Sequence, residues 1–319
     1  MSDKRILENG SCESIGNFKT NIYVPTYITV FILGFIENVF CLYVFLKLYK
    51  KKNAFSIVMV NLAMSDLLFV CTLPWRAYYY WKHNWTFPNC LCVILIYALY
   101  FNMYSSIYFL TLMSILRYVA VVHPVKGLKY RNVKYVQIIC IAIWVFVGVA
   151  SIPLLVIGNK EEQCFELSNG IDVMDIKIIF TMDLISLVLG FIIPFFFFTI
   201  CYILVVKALL TSKTNPHKQH SSRRKAIARI VVVMVIFITG FPIYHIVRTI
   251  YLTEISTRRN VSHVSCLLQK SAVATLSHAV MNPCLDPLLY YFAAQTFRDK
   301  VRNTIKNAFK GCPAPMQQT

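Results

Sequence analysis

Apolar residues in this sequence gather into seven long runs, at about 24–48, 55–80, 90–122, 136–157, 176–210, 228–252 and 268–292, with short polar segments between them. An uninterrupted run of this length is the mark of an α-helix crossing a bilayer, because about 20 residues at 1.5 Å each match a hydrocarbon core of roughly 30 Å. From Cys92 to Arg117 the third run would rise about 37 Å, enough to cross with some tilt. Within it sit Asn102, Ser105, Ser106 and Thr111. Hydrocarbon penalises such groups unless they face other helices, so this run is expected at the centre of a bundle. The predicted fold is an all-α membrane protein, a seven-transmembrane helix bundle over 24–292. An extracellular segment, 1–23, precedes it. An amphipathic helix and cytoplasmic tail, 293–319, follow it.

Composition agrees with that pattern. Of 319 residues 57% are hydrophobic and only 14% charged, and the mean hydropathy of +0.59 is far above that of a soluble globule. No cleavable leader is visible in the polar first twenty residues, so the first span is expected to direct insertion. The formal charge of +18 sits in juxtamembrane clusters: Lys47 to Lys52, Arg117 to Lys134, Lys207 to Arg229, and Arg298 to Lys310. By the positive-inside rule those linkers are cytoplasmic and the N-terminus is outside, a multi-pass arrangement at the plasma membrane. The charge is then a topological signal and not a nucleic-acid footprint.

Of 11 cysteines, Cys12, Cys92, Cys164 and Cys266 fall on the outer side, where disulfides persist. Pairing Cys92 with Cys164 and Cys12 with Cys266 is the expected arrangement; four cysteines allow three connectivities, and Cys90 rivals Cys92. Sequons at Asn9, Asn84 and Asn260 land outside as well, as candidate glycosylation sites.

Read in order, Asn38, NLAMSDLL (Asn61 to Leu68), WTF (Trp85 to Phe87), Arg117-Tyr118, Trp144, Pro194, Tyr202 and DPLLY (Asp286 to Tyr290) resemble the rhodopsin-class (class A) G-protein-coupled receptors. Within that class LYVFLKLYKKK, NLAMSDLLFVCTLPWRAYYY, NMYSSIYFLTLMSILRYVAVVHP, CFEL, the pairs Tyr244-His245 and Arg248-Thr249, and DPLLYYFA resemble the cysteinyl leukotriene receptors, the type 2 member most closely. The similarity covers roughly residues 18–309. It implies a receptor for an anionic lipid mediator, with heterotrimeric G protein of the Gq class, calcium mobilisation and arrestin on the inner side. Nucleotide or other small-anion receptors, and a non-signalling ligand scavenger, are the alternatives. No lysine lies at 272–285 for a retinal Schiff base, and no set of nucleophile, base and oxyanion donors is apparent, so an enzyme is not expected.

Candidate chemistry falls at three depths. In mid-membrane, Asp66, with Asn102 and Ser106 four apart on one helix and Asn282 and Asp286 four apart on another, supplies oxygens suited to a hard cation. The resemblance implies an allosteric sodium ion there, the one cofactor expected. In the outer half, Lys19, Arg76, Tyr79, Tyr97, Tyr100, Tyr104, His245, Arg248 and Lys270 are expected to face the bundle mouth. Guanidinium forks suit a carboxylate or phosphate, with an apolar wall beneath for an acyl tail.

At the inner end Arg117, Tyr202 and Tyr290, with the packing trio Ile107, Pro194 and Phe237, match the family's coupling residues and switch. Two departures stand out. Leu116 replaces the acid that often precedes the arginine, and Ile243 takes the place of the sixth-helix bend proline, with Pro242 one residue earlier. In the tail Phe297, Val301, Ile305 and Phe309 recur every four residues between basic ones, an amphipathic membrane-surface helix, and Cys312 is a candidate palmitoyl site.

Overall fold

The computed structural model describes residues 15–48, 53–158, 164–165, 173–211, 216–258, 264–293 and 297–302. Twelve α-helices make up its spans: α1 (Ile15–Tyr43), α2 (Ala54–Val70), α3 (Leu73–Lys82), α4 (Asn89–Val122), α5 (Val133–Ala150), α6 (Ile152–Gly158), α7 (Val173–Ile185), α8 (Ile193–Thr211), α9 (Pro216–Gly240), α10 (Pro242–Arg258), α11 (Cys266–Val280) and α12 (Asn282–Ala293). Among the described residues six continuous runs are long and apolar enough to cross a membrane, and α11 with α12 forms the seventh, broken at Met281. Outward faces carry Ile36, Ile141, Ile200 and Ile246, which water would expel and lipid accepts.

As expected of a central helix, α4 packs against the second, fourth and fifth spans. Polar bonds fix its rotation. Ser105 and Ser65 hydroxyls meet at 2.6 Å, and Tyr97 donates to the Gly148 carbonyl at 3.1 Å. Trp144 Nε1 donates to Asn61 Oδ1 at 2.8 Å, tying α5 to α2. The largest hydrophobic cluster among the described residues, including Ile107, Phe109, Phe198, Tyr202 and Phe237, fills the inner half and reaches up to the base of the outer one. A smaller aromatic cluster around Tyr23, Tyr27, Tyr80 and the Cys92–Cys164 disulfide fills the outer end.

Prolines decide where the spans bend. Pro74 cannot donate to the turn before it, so α2 stops at Val70 and α3 restarts at Leu73. Thr72 Oγ1 donates to the Phe69 carbonyl at 2.6 Å, and the Thr72 N–H donates to the same oxygen at 2.8 Å, closing the turn at the break. In the fifth span a π-helical stretch, Ser186–Ile192, runs up to Pro194, an extra residue inserted where the proline removes a bond. The sixth span breaks between Gly240 and Pro242, at the displaced proline. A Cβ on Gly240 would come within 3.0 Å of Asn282 Oδ1, so the missing side chain is what lets the sixth and seventh spans close up there.

Three details differ from the sequence-based expectation or resolve it. The first helix begins at Ile15, ahead of residue 24, because Thr20 Oγ1 donates to the Tyr80 carbonyl at 2.9 Å and Phe18 and Ile22 pack on the outer cluster. Cys92, not Cys90, bonds Cys164, and Cys90 is free and exposed. Cys266 is disulfide-bonded, and Cys12, its expected partner, lies outside the described residues. Residues 297–302 begin the amphipathic tail: Phe297 stacks on Phe45 at 4.9 Å, and Lys300 Nζ donates to the Leu48 carbonyl. Ile305, Phe309 and Cys312 lie outside the described residues, as do Asn9 and Asn260, whereas Asn84 is exposed on the second-to-third-span loop.

Cys164→Ser is expected to cost about 2–4 kcal/mol, read as a lowered thermal midpoint of the detergent-solubilised protein. Cys90→Ser should leave the midpoint unchanged; an equal loss there would show the pairing to be wrong.

Candidate functional site

A cavity of about 220 Å³ opens between the third, fourth and fifth spans in the outer half of the bundle. Tyr100, Tyr104 and Tyr108 line it from α4 at four-residue spacing, which places them on one helical face. Phe146, Val147 and Ala150 form its α5 wall, and Asp183, Ser186, Leu189 and Gly190 its fifth-span wall. Arg248 of α10 reaches it from the sixth span. Most of the lining is apolar or aromatic, and the polar groups gather at the Arg248 end.

That end is a charge pair. Arg248 Nε donates to Asp183 Oδ1 at 2.8 Å, and Thr249 Oγ1 donates to Asp183 Oδ2, also at 2.8 Å. The guanidinium carbon lies 4.9 Å from the Tyr100 ring centre, in cation–π range. Asp183 is almost wholly buried, its side chain 3% exposed against 23% for Arg248. Asp183 was absent from the sequence reading. Its signal was present all the same, since an acid inside an apolar run marks a functional position unless a partner explains it. Gly190 has a steric role, because a Cβ there would meet the Tyr104 ring at 2.7 Å.

The other outer-half candidates stand apart from this cavity. His245 is buried beneath it, its ring stacked on Phe191 at 4.6 Å and 5.9 Å from Tyr104, with Nε2 unpartnered. Arg76 is buried under the second outer loop, where Nη2 donates to the Leu95 carbonyl at 2.6 Å and the guanidinium carbon sits 4.5 Å over Phe165. Its Nε has no partner. Tyr79 packs edge-on against Phe165 at 5.3 Å in the same cluster. Lys270 lies over the Phe18 ring at 5.6 Å, and Lys19 shares that first-span end. Tyr97 is committed to its bond with Gly148. The structure thus joins Tyr100, Tyr104 and Arg248 in one cavity and sets Arg76 and Tyr79 in a second cluster.

At mid-depth Asn102 Nδ2 donates to Asp66 Oδ1 at 3.0 Å and to Ser65 Oγ at 3.2 Å, with Ser106 Oγ at 3.5 Å. Asp66 and Asp286 are both buried and face each other within hydrogen-bonding reach, Ser106 also approaches Asp66, and Oδ2 of each carboxyl has no well-formed hydrogen bond. Asn38 donates to the Pro283 carbonyl at 2.8 Å, locking α1 to α12, while its Oδ1 is also unpartnered. Asn282 is buried against Gly240. Among the described residues no three His, Cys, Asp or Glu converge as metal ligands, so a cation here would draw on hydroxyl and amide oxygens beside the two carboxyls.

At the inner end the Arg117 guanidinium carbon lies 5.9 Å from the Tyr202 ring centre. Leu116 is core, 3% exposed. Ile107, Pro194 and Phe237 are buried in the same region, where Phe237 stacks on Phe198 at 4.0 Å and Thr111 Oγ1 bonds the Pro194 carbonyl at 3.4 Å. Tyr290 lies on α12, and its side chain lies outside the described residues.

Residues 37–290 match the family model of the 7 transmembrane receptor (rhodopsin family). Cysteinyl leukotriene receptor 2 of Sus scrofa is 39% identical over 310 residues, 96% of this chain and 86% of the relative. Cysteinyl leukotriene receptor 1 of Cavia porcellus is 41% identical over 300 residues, 92% and 87% respectively. Lysophosphatidic acid receptor 6 of Mus musculus is 34% identical over 307 residues, 93% and 88%. The two leukotriene receptor types therefore stand about equally near.

Gly190→Ala should displace Tyr104 and narrow the cavity, destabilising the protein by about 1–3 kcal/mol as overpacked cores do. The added Tyr104→Ala change should recover part of that loss. An unchanged thermal midpoint in Gly190→Ala would mean that the ring is not held against the π-helical stretch.

Proposed function

The chain belongs to the rhodopsin family of seven-transmembrane receptors, and we propose that its ligand is a cysteinyl leukotriene and its output Gq-class signalling with calcium release. It is a receptor of the plasma membrane, multi-pass, and not an enzyme. The observation that carries the ligand assignment is the outer cavity, in which one buried-edge guanidinium, Arg248, meets an aromatic and aliphatic wall. An anionic head with a long apolar tail has both complements. The naming of the curated relatives supports the choice of a leukotriene over a nucleotide.

Ligand binding does no covalent chemistry. It shifts a population by binding the open-inside form more tightly than the closed one. The fifth and sixth spans carry the π-helical stretch and the Gly240–Pro242 break on the line from the cavity to Arg117. Opening there would free Arg117 from Tyr202 for the carbonyls at the end of an inserted G-protein helix. Arrestin would use the same cleft.

In the same reading a sodium ion sits among Asp66, Asn102, Ser106, Asn282 and Asp286 and favours the resting state. Two facing carboxyls whose Oδ2 atoms have no well-formed hydrogen bond support this, since either a cation or a shared proton must answer them.

Arg248→Ala, with surface expression matched, is expected to raise the leukotriene D4 concentration for half-maximal calcium release about ten- to a hundredfold, the worth of one charged hydrogen bond. Binding without any calcium signal would favour a scavenger, and a response to ADP or UDP alone would sink the ligand assignment. For the ion, replacing sodium chloride by choline chloride should raise agonist affinity in the native protein and leave Asp66→Asn unmoved. Equal salt responses in both proteins would remove the ion from the mechanism.

A further inference from the structure

The cavity holds a feature that a plain anion site does not need. Asp183 lies in the outer third of the apolar fifth span, lines the same cavity as Arg248, and accepts a hydrogen bond from its Nε. One bond from Arg248 and one from Thr249 occupy two of about four lone-pair positions on the carboxylate, and Nε is one of five N–H groups on the guanidinium. Both members of the pair therefore keep unused hydrogen-bonding capacity, and both line the cavity. A ligand with only negative charge would meet the Asp183 carboxylate beside its intended partner. A ligand carrying both signs on adjacent atoms would meet an opposite charge at each.

We propose that Asp183 and Arg248 together read a zwitterionic α-amino-acid head: the ligand's ammonium on Asp183, its carboxylate on the terminal nitrogens of Arg248. The 2.8 Å contact between the two side chains sets their charges side by side, as the two charges of an α-amino acid are on one carbon. The four charges then alternate around a square, and neither protein charge is left buried and unanswered when the ligand enters. Tyr100 flanks the guanidinium, and the apolar wall from Phe146 to Leu189 takes the tail. Asp183 is thus a specificity residue, selecting a free amine. This deepens the leukotriene reading and rests on it for the tail, while the head is argued from the pair alone.

The test uses full-length protein in nanodiscs and three probes without an eicosanoid chain: S-octyl-cysteine, its N-acetyl derivative, and the amine lacking the carboxylate, 2-(octylthio)ethylamine. Leukotriene D4 is titrated in parallel. S-octyl-cysteine should bind at least tenfold more tightly than either analogue. Asp183→Asn should bring the free and N-acetylated probes to equal affinity while keeping the preference for a carboxylate, and Asp183→Glu should restore discrimination. A merely structural Asp183 would lower the thermal midpoint of Asp183→Asn without altering the ratio of the two probes. Equal affinity of free and N-acetylated probes in the native protein overturns the inference, as does failure of all three to bind or an unchanged ratio in Asp183→Asn. Should Asp183→Asn not fold, the native ratios and Asp183→Glu decide. Loss of leukotriene binding with retained discrimination among the octyl probes would instead count against the leukotriene assignment alone.

Discussion

A charge or strong dipole inside hydrocarbon must be answered by another group of the same protein, because neither water nor lipid will do it. Most of the interhelical geometry here follows from that constraint. Asp66 is met by Asn102 and faces Asp286, which holds the second, third and seventh spans at one depth. Asn38 reaches the Pro283 carbonyl, an acceptor whose own helix cannot satisfy it at a proline break. Trp144 and Asn61 close the fourth span onto the second. Aliphatic packing fills the space between these bonds but would accept many rotations of each helix; the polar contacts select one.

The same constraint separates the functional groups by how completely they are answered. Ser65 with Ser105, and Tyr97 with Gly148, are satisfied pairs and read as structure. Arg76 Nε, His245 Nε2 and the Oδ2 atoms of Asp66 and Asp286 are buried without a well-formed hydrogen bond. Groups left in that state cost stability in the resting protein, and a ligand, ion or proton that satisfies them recovers it. Arg248, bonded once, and Asp183, bonded to Arg248 and Thr249, lie between the two cases, each with capacity to spare.

Departures from the family's usual motifs also find physical accounts. Leu116 is packed in the core, so no acid flanks Arg117, whose guanidinium instead lies against the Tyr202 ring. Moving the proline to position 242 puts the break of the sixth span directly after Gly240, the residue whose bare Cα admits Asn282. The hinge of the sixth span therefore meets the seventh at Asn282, four residues before Asp286 on the same helix.

Hydrophobic run length alone determined the number of spans, and the Lys and Arg clusters their orientation, because both are set by the bilayer and not by partners. Motifs such as NLAMSDLL and DPLLY were equally legible, since their spacing is local. Pairing was not. Three connectivities were open to four outer cysteines, and only the folded loop put Cys164 on Cys92. Sequence placed nine side chains at one mouth; the fold divided them, because the break before Pro74 turns Arg76 and Tyr79 beneath Phe165 while Tyr100 and Tyr104 face the fifth span. Asp183 and Arg248 are 65 positions apart in the chain, and nothing local announces that one neutralises the other. A charge in a membrane span can be recognised from sequence, but its partner is decided only when helices distant in sequence pack side by side.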